Sequence, residues 1–282
     1  MPTNTPNKVK YGLKNVHYAI LTVAEDGTAS YATPVAIPGA VNLTMDAQGE
    51  TNTFYADNMA YFVVAGNDGY SGTLEVALVP DSFRQDVLNE TLDQTSQVLT
   101  ENVDDKTNSF ALLFEFDGDQ KAIRHVLYNC TCGRTSVSGA TTTNTREPTT
   151  ETMNLTASPL ANGNTKSRTT ANTPVADYDA WYTKVWQPLG QLTVSSAAGT
   201  SSGTTALTVS PPLGEGNSYK TMTGASVTLP AYGSTVPGTW TDWDGEEDIT
   251  ATTGQQIGVV EVNAENEAIA GGIAEVTANG GA

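Results

Sequence analysis

Along much of this chain apolar residues recur at every second position. In "FALLFEF" Phe110, Leu112, Phe114 and Phe116 alternate, and after a turn Ile123, His125 and Leu127 alternate with Arg124, Val126, Tyr128 and Cys130. A period of two sends successive side chains to opposite faces of a strand. Related runs occur at "NVHYAILTV", "TLEVALV" and "ETMNLTAS". Turn-forming residues separate these runs, which predicts an antiparallel β-sandwich or barrel. The Asp117-Gly118 step predicts a tight hairpin, because glycine accepts positive φ and aspartate tolerates it.

Two stretches change period. "PDSFRQDVLNETL" opens on Pro80 and sets Ser82 three residues before Gln85, a capping-box spacing, ahead of Val87 and Leu88. "DYDAWYTKVWQP" places Tyr178, Trp181, Tyr182, Val185 and Trp186 on one helical face, halted by Pro188. That stripe is expected to dock on the sheet rather than to stack on a ligand.

Candidate chemistry collects between Leu112 and Cys132. On the predicted hairpin Asp117 and Asp119 sit at a solvated tip and keep ordinary acidity, so neither serves as the apolar-pocket acid of a glycosidase pair. Cys130 and Cys132 are two apart and share a strand face. Two cysteines and two histidines fall short of a zinc quartet with CxxC spacing. His17 reads as a packed strand residue, and Asp46, Asp57, Asp104 and Asp105 fall in turn-like segments. GxSxG, Walker, HExxH and Rossmann patterns are all missing. We expect no catalytic centre, no metal site and no cofactor.

Charge narrows the partners. The 282 residues carry 13 Lys and Arg against 31 Asp and Glu, a formal net charge of −18. Such a chain grips nucleic acid poorly, because neutralising phosphates takes Lys and Arg. No apolar run is long enough to span a membrane. The start, "MPTNTPNKVKYG", lacks the apolar core of a signal peptide, which predicts folding in the cytoplasm. A CxC pair does not make a disulfide framework. Beyond Gly190 the only basic residue is Lys220, against ten acidic ones, and the composition turns to Gly, Ser, Thr and Val. A domain boundary is therefore expected at Pro188 to Gln191, giving domains 1–189 and 190–282, the second large enough for a small sandwich of its own.

The ordered series "VKYGLKNVHYAILT", "PVAIPGAVNLTMDAQGE", "FYADN", "NDGYSGTLEVALVPDSFRQDVLNE", "FALLFEFDGDQKAIRHVLYNCT" and "TETMNLTASP" resembles the major tail proteins of siphophages, especially those of Gram-positive hosts. The resemblance runs from about Lys8 to Pro188. It implies a structural virion protein, made and assembled in the host cytoplasm. Its six-fold rings would stack into the tube of a long non-contractile tail, through which DNA passes only in transit. The implied partners are other copies of the chain, the tape measure, the tail terminator and the distal tail protein, with no membrane involved. The implied fold is a β-sandwich or open barrel with one flanking helix, here Asp81 to Leu92. Arg124 and His125 would then be packing or interface residues, and the lumen wall would be net negative. The segment Val41 to Phe62 matches a long hairpin loop that reaches the neighbouring ring, with Met45, Phe54, Tyr55, Asn58 and Tyr61 as contact residues. Its alternative role is to cover the subunit's own core.

The final run, "EVNAENEAIAGGIAEVTANG", resembles the last strands of bacterial immunoglobulin-like domains, which some tail proteins carry outside the tube. Near it, Tyr232, Trp240 and Trp243 are candidates for contact with a host-surface glycan, and Asp242, Asp244 and Asp248 for calcium. Against this, tryptophan in a small sandwich is commonly core, and DxDG without the twelve-residue loop is a weak calcium signal. The rival overall function is a two-domain β-rich surface adhesin or carbohydrate-binding protein.

Overall fold

The computed structural model describes residues 5–25, 27–139, 141 and 148–280. The described residues are mainly β, in largely antiparallel sheets with no closed barrel among them and little helix. Contacts divide the chain into two units, Met1–Trp186 and Gln187–Ala282.

The first unit begins with β1 (Lys10–Val23), β2 (Ala29–Tyr31), β3 (Val35–Ala36) and β4 (Ala40–Gln48). There follow β5 (Thr51–Ala56), β6 (Met59–Ala65), β7 (Gly69–Val76) and the helix α1 (Asp81–Asp86). Next come β8 (Thr91–Leu92), β9 (Leu99–Thr100), β10 (Phe110–Gly118), β11 (Ile123–Cys132), β12 (Glu151–Ala157) and β13 (Lys166–Arg168). A short helix, α2 (Val175–Asp179), and a 3₁₀ turn, Ala180–Tyr182, complete it.

One sheet organises this unit, in the order β2-β1-β10-β11-β12-β7-β4, with β3 on β1 and β13 on β11. The alternation read in "FALLFEF" divides it into two buried faces. Phe110, Leu112 and Phe114 join Val16, Tyr18, Leu74, Val76, Met153 and Leu155 in one core, into which α1 inserts Phe83. Ala111 and Leu113 join Ala19, Val126 and Tyr128 on the other face. There the aromatic stripe docks as expected, with Trp181 and Val185 buried and Tyr182 and Trp186 packed beside them. The backbone differs from a single helix, because α2 ends at Asp179 and tightens into the 3₁₀ turn.

The β10–β11 hairpin differs in register from a two-residue turn. Phe116 pairs with Ile123, so residues 117–122 form the connection, and Asp117 and Gly118 instead pair with Tyr11 and Lys10 of β1. Phe110 pairs with Cys130 while Leu112 pairs with Leu127, which leaves one extra residue on β11. This bulge moves Cys130 from the Arg124 face, where strict alternation puts it, into the core with Leu127 and Cys132. The predicted helix Asp81 to Leu92 is also shorter than expected. It stops at Asp86 because Asn89 takes φ +60° and turns the chain toward the β8–β9 pair. Its first residue follows Pro80, so Ser82 does not cap it, and Gln85 Nε2 donates to the Asp81 carbonyl at 3.2 Å.

The second unit holds β14 (Gly190–Gln191), β15 (Thr193–Ala198), β16 (Thr204–Ser210), β17 (Ser218–Gly224), β18 (Thr241–Trp243), β19 (Ile249–Thr250), β20 (Gln256–Val262) and β21 (Ala268–Glu275). Two sheets, β14-β21-β20-β17-β18 and β15-β16-β19, enclose Leu192, Tyr219, Trp243 and Val259 between them, with Leu207 and Val209 packed alongside. On the outer side of the larger sheet Trp240 covers Val227, Val236 and Val260. A Cβ added at Gly258 would stand 2.8 Å from the Trp240 ring, so that glycine makes room for the indole.

Both tryptophans therefore belong to this unit's own core. The segment Gln187–Ala282 alone should unfold in one cooperative transition, and Trp240→Ala should lower its stability by about 3–5 kcal/mol. Denaturant titration followed by circular dichroism measures both. A broad, non-cooperative transition in the parent segment would show that the unit does not fold alone.

Candidate assembly surface

The segment expected as a long hairpin loop, Val41 to Phe62, holds a hairpin only in its second part. Its first part is β4, paired with β7 from Ala40↔Val76 to Gln48↔Gly69. Beyond Gln48 the chain narrows at two glycines, where Gly66 N donates to the Glu50 carbonyl at 2.8 Å. A Cβ on Gly49, at φ +149°, would lie 2.2 Å from the Gly66 carbonyl oxygen, so the neck requires glycine there. Past the neck β5 and β6 pair as a separate two-stranded arm. Asp57 and Asn58, at φ +52° and +59°, turn its apex as a type I′ hairpin demands.

The arm is apolar and bare. Phe54, Tyr55, Met59, Tyr61, Phe62, Val63 and Val64 are each between 48% and 71% exposed. They are seven of the nineteen exposed large hydrophobic residues among those described, within eleven consecutive positions. Cross-strand pairing puts Asn52, Phe54, Phe62 and Val64 on one face and Thr51, Thr53, Val63 and Ala65 on the other. An isolated two-stranded hairpin is marginal in water, and a dense exposed apolar patch is the kind of surface at which proteins associate. Burying each large side chain is worth about 1.5–3 kcal/mol. Of the contact residues expected here, Phe54, Tyr55, Asn58 and Tyr61 stand exposed on the arm. Met45 does not. It lies on β4 opposite Gly72, half-buried against the first unit's core, because the strand face it shares with Leu43 turns inward.

The residues that first drew attention as chemistry have structural partners. Asp117 pairs with Lys14 Nζ at 2.6 Å. Asp119 Oδ1 accepts the Lys8 amide at 2.8 Å and the Val9 amide at 3.4 Å. Those amides, the Lys8 one foremost, hold its carboxyl below the ordinary range, so the expected unperturbed acidity does not apply to Asp119. His17 tilts against the Tyr182 ring at 4.6 Å, and its Nδ1 lies 2.9 Å from the Asn15 carbonyl. Burial pushes the Cys130 and Cys132 thiols up to about 12. Asp57, Asp104 and Asp105 do fall in turns, but Asp46 lies exposed on β4.

A buried polar cluster was not anticipated. Glu115, 3% exposed, faces Arg124 directly across the β10–β11 ladder. Its Oε2 accepts from Arg124 Nε at 3.0 Å and the Tyr182 hydroxyl at 3.3 Å, and its Oε1 accepts from Asn15 Nδ2 at 2.7 Å. Arg124 also donates to the Tyr178 carbonyl and lies 3.8 Å from that ring's centre. These bonds tie α2 and the 3₁₀ turn to the sheet. The cross-strand pair would have been readable from the true register but not from a two-residue Asp-Gly turn.

In the second unit the proposed glycan contacts are not a surface. Trp240 and Trp243 are 6% and 9% exposed, and Trp243 Nε1 donates to the Glu247 carbonyl at 2.8 Å. Tyr232 is half-buried, its hydroxyl accepting from Gln187 Nε2 at 2.9 Å. Small sandwiches need large side chains to fill their core, and these indoles do so. The nearby acids go to separate partners: Asp242 to Lys220, Asp244 to the Glu246 and Glu247 amides, and Asp248 to Thr200.

With this geometry established, comparison with known proteins adds the following. Residues 197–279 match the family of S-layer protein SbsC C-terminal domains. No curated protein sequence matches the chain. Among solved structures, the tube-terminating cap of the anti-feeding prophage is similar at 12% identity over 57% of this chain and 93% of that one, with a TM-score of 0.32. Domains 7, 8 and 9 of the S-layer protein SbsC are similar at 13% identity over 97% and 72%, with a TM-score of 0.30. At such TM-scores neither likeness carries fold or function across.

One titration follows from the core. Burial, together with Arg168, Lys10 and Lys166, lowers the His125 pKa to about 4, and the ring stacks on Phe114 at 5.1 Å. The unfolded chain takes up that proton near pH 6.5, before the folded one does. Stability is thus fully present above pH 6.5 and is lost as the pH falls toward 4, by up to about 3 kcal/mol. His125→Phe keeps the stack and removes the proton. Its melting temperature should fall less than the parent's between pH 7 and pH 4, by scanning calorimetry; parallel declines would refute this assignment.

Proposed function

We propose that the chain is a self-assembling structural subunit of the tube of a long non-contractile phage tail, and not an enzyme. The observation that carries this reading is the arm: apolar, bare, joined to the body at a glycine neck, and in need of a partner. The resemblance of residues 8–188 to major tail proteins supports it, and gives the arm a role in contact between stacked, six-fold rings. The acidic composition agrees with a channel that lets DNA slide without holding it. The second unit, with its S-layer-like segment and ten acids against Lys220 beyond Gly190, is the appended decoration. The same S-layer match supports a second reading, a β-rich surface protein, which predicts no tubes.

Negative-stain microscopy of purified protein separates the two. Joining Gly49 directly to Gly66 removes the arm and leaves Gly49-Gly66-Asn67-Asp68 as a four-residue turn between the paired Gln48 and Gly69. This variant should keep the parent's circular dichroism and melting behaviour but yield single rings or dispersed subunits where the parent yields tubes. Tubes of unchanged length would remove the arm from assembly, and dispersed particles from the parent itself would favour the surface-protein reading.

A further inference from the structure

We propose that a cavity in the open end of the first unit's core is the socket for the arm tip of a second copy, seating Met59 among aromatic rings and Asp57 against two lysines. This rests on the self-assembly reading and identifies the receiving site. The cavity measures about 220 Å³, walled by Tyr70, Phe114, Phe116 and His125 with Lys10 and Lys166 at its rim. Small-molecule pockets run to roughly 300–1,000 Å³, so this one suits an anchoring side chain. Its rings are already ordered: His125 lies parallel to Phe114, and Phe116 stands edge-on to both, at 5.5 Å. A thioether packs well among aromatic rings and adapts to an irregular gap.

Charge points to the same occupant. Lys10 Nζ sits 4.7 Å from the Phe116 ring centre and Lys166 Nζ 4.3 Å from that of Tyr70. Among the described residues neither lysine has a carboxylate partner. On a chain with 13 basic residues and a net charge of −18, two uncompensated cations at the rim of one apolar cavity form a site for an anion joined to an apolar group. The arm offers that pair at its apex, where Asp57 is exposed and Met59, two residues on, is 63% exposed.

Engineered thiols test the contact, since Cys130 and Cys132 are buried. Full-length chains carrying Met59→Cys are mixed with chains carrying Lys166→Cys and oxidised gently, with microscopy of the same sample. A crosslinked heterodimer should form roughly tenfold more than with Val103→Cys as the exposed control partner, as docking raises effective concentration. In a second arm of the test, Lys10→Glu with Lys166→Glu should abolish tubes while preserving the melting profile, and adding Asp57→Lys should restore them. Tubes without excess crosslinking would overturn the socket while leaving the tube reading intact. Crosslinking confined within single chains carrying both cysteines would overturn it too, by making the chain's own arm the occupant. Absence of any assembly by the parent would end both.

Discussion

The first unit depends on burying both faces of one strand pair. β10 and β11 lie inside the sheet, and their alternate residues feed two separate cores, one closed by α1 and the other by the Trp181 segment. A pair buried on both sides has no solvent face on which a register slip could be tolerated. The single bulge near Tyr128 is therefore decisive, because it delivers Cys130 to the first core while Val126 and Tyr128 remain in the second. Glu115 and Arg124 are the polar exception on the second face. Each satisfies the other, and their remaining bonds fasten the tyrosines of the overlying segment. Removing one member of such a buried pair leaves a charge without compensation, which is far costlier than never having had the pair.

Against that well-filled body the arm is a deliberate contrast. Its strands keep correct β pairing and a correct turn, yet none of its large apolar side chains joins a core. The arm's local geometry is settled by turn chemistry, and its large apolar side chains stay exposed. A paired hairpin with its turn already formed has part of its ordering done before association, which lowers that cost.

Much of this was legible in the residues themselves. Period-two alternation located β1, β7, β10, β11 and β12 of the first unit's sheet but not β4, whose residues read as part of a long hairpin loop, and the aromatic stripe docks on that sheet as expected. What escaped notice depends on events that leave little periodic trace. A bulge adds one residue without altering composition, so Cys130 was put on the wrong face. Asn89 ends a helix by its backbone angle, although the pattern through Val87 and Leu88 continues. For the arm, the exposed aromatics were recognised but the neck was not, since glycines at Gly49 and Gly66 look like ordinary turn residues until their mutual approach is seen. Met45, Trp240 and Trp243 show the converse limit: burial belongs to tertiary context, and a residue type that suits a contact surface suits a core equally well.

The glycine neck also has an evolutionary consequence. Because the body closes its own ladder at Gln48 and Gly69 and takes no side chain from beyond the neck, the arm is exempt from the selection that preserves the core. Mutations in it are judged only by whatever it touches. Among relatives the body should drift slowly, while the sixteen residues between Gly49 and Gly66 are free to change faster than the sheet that carries them.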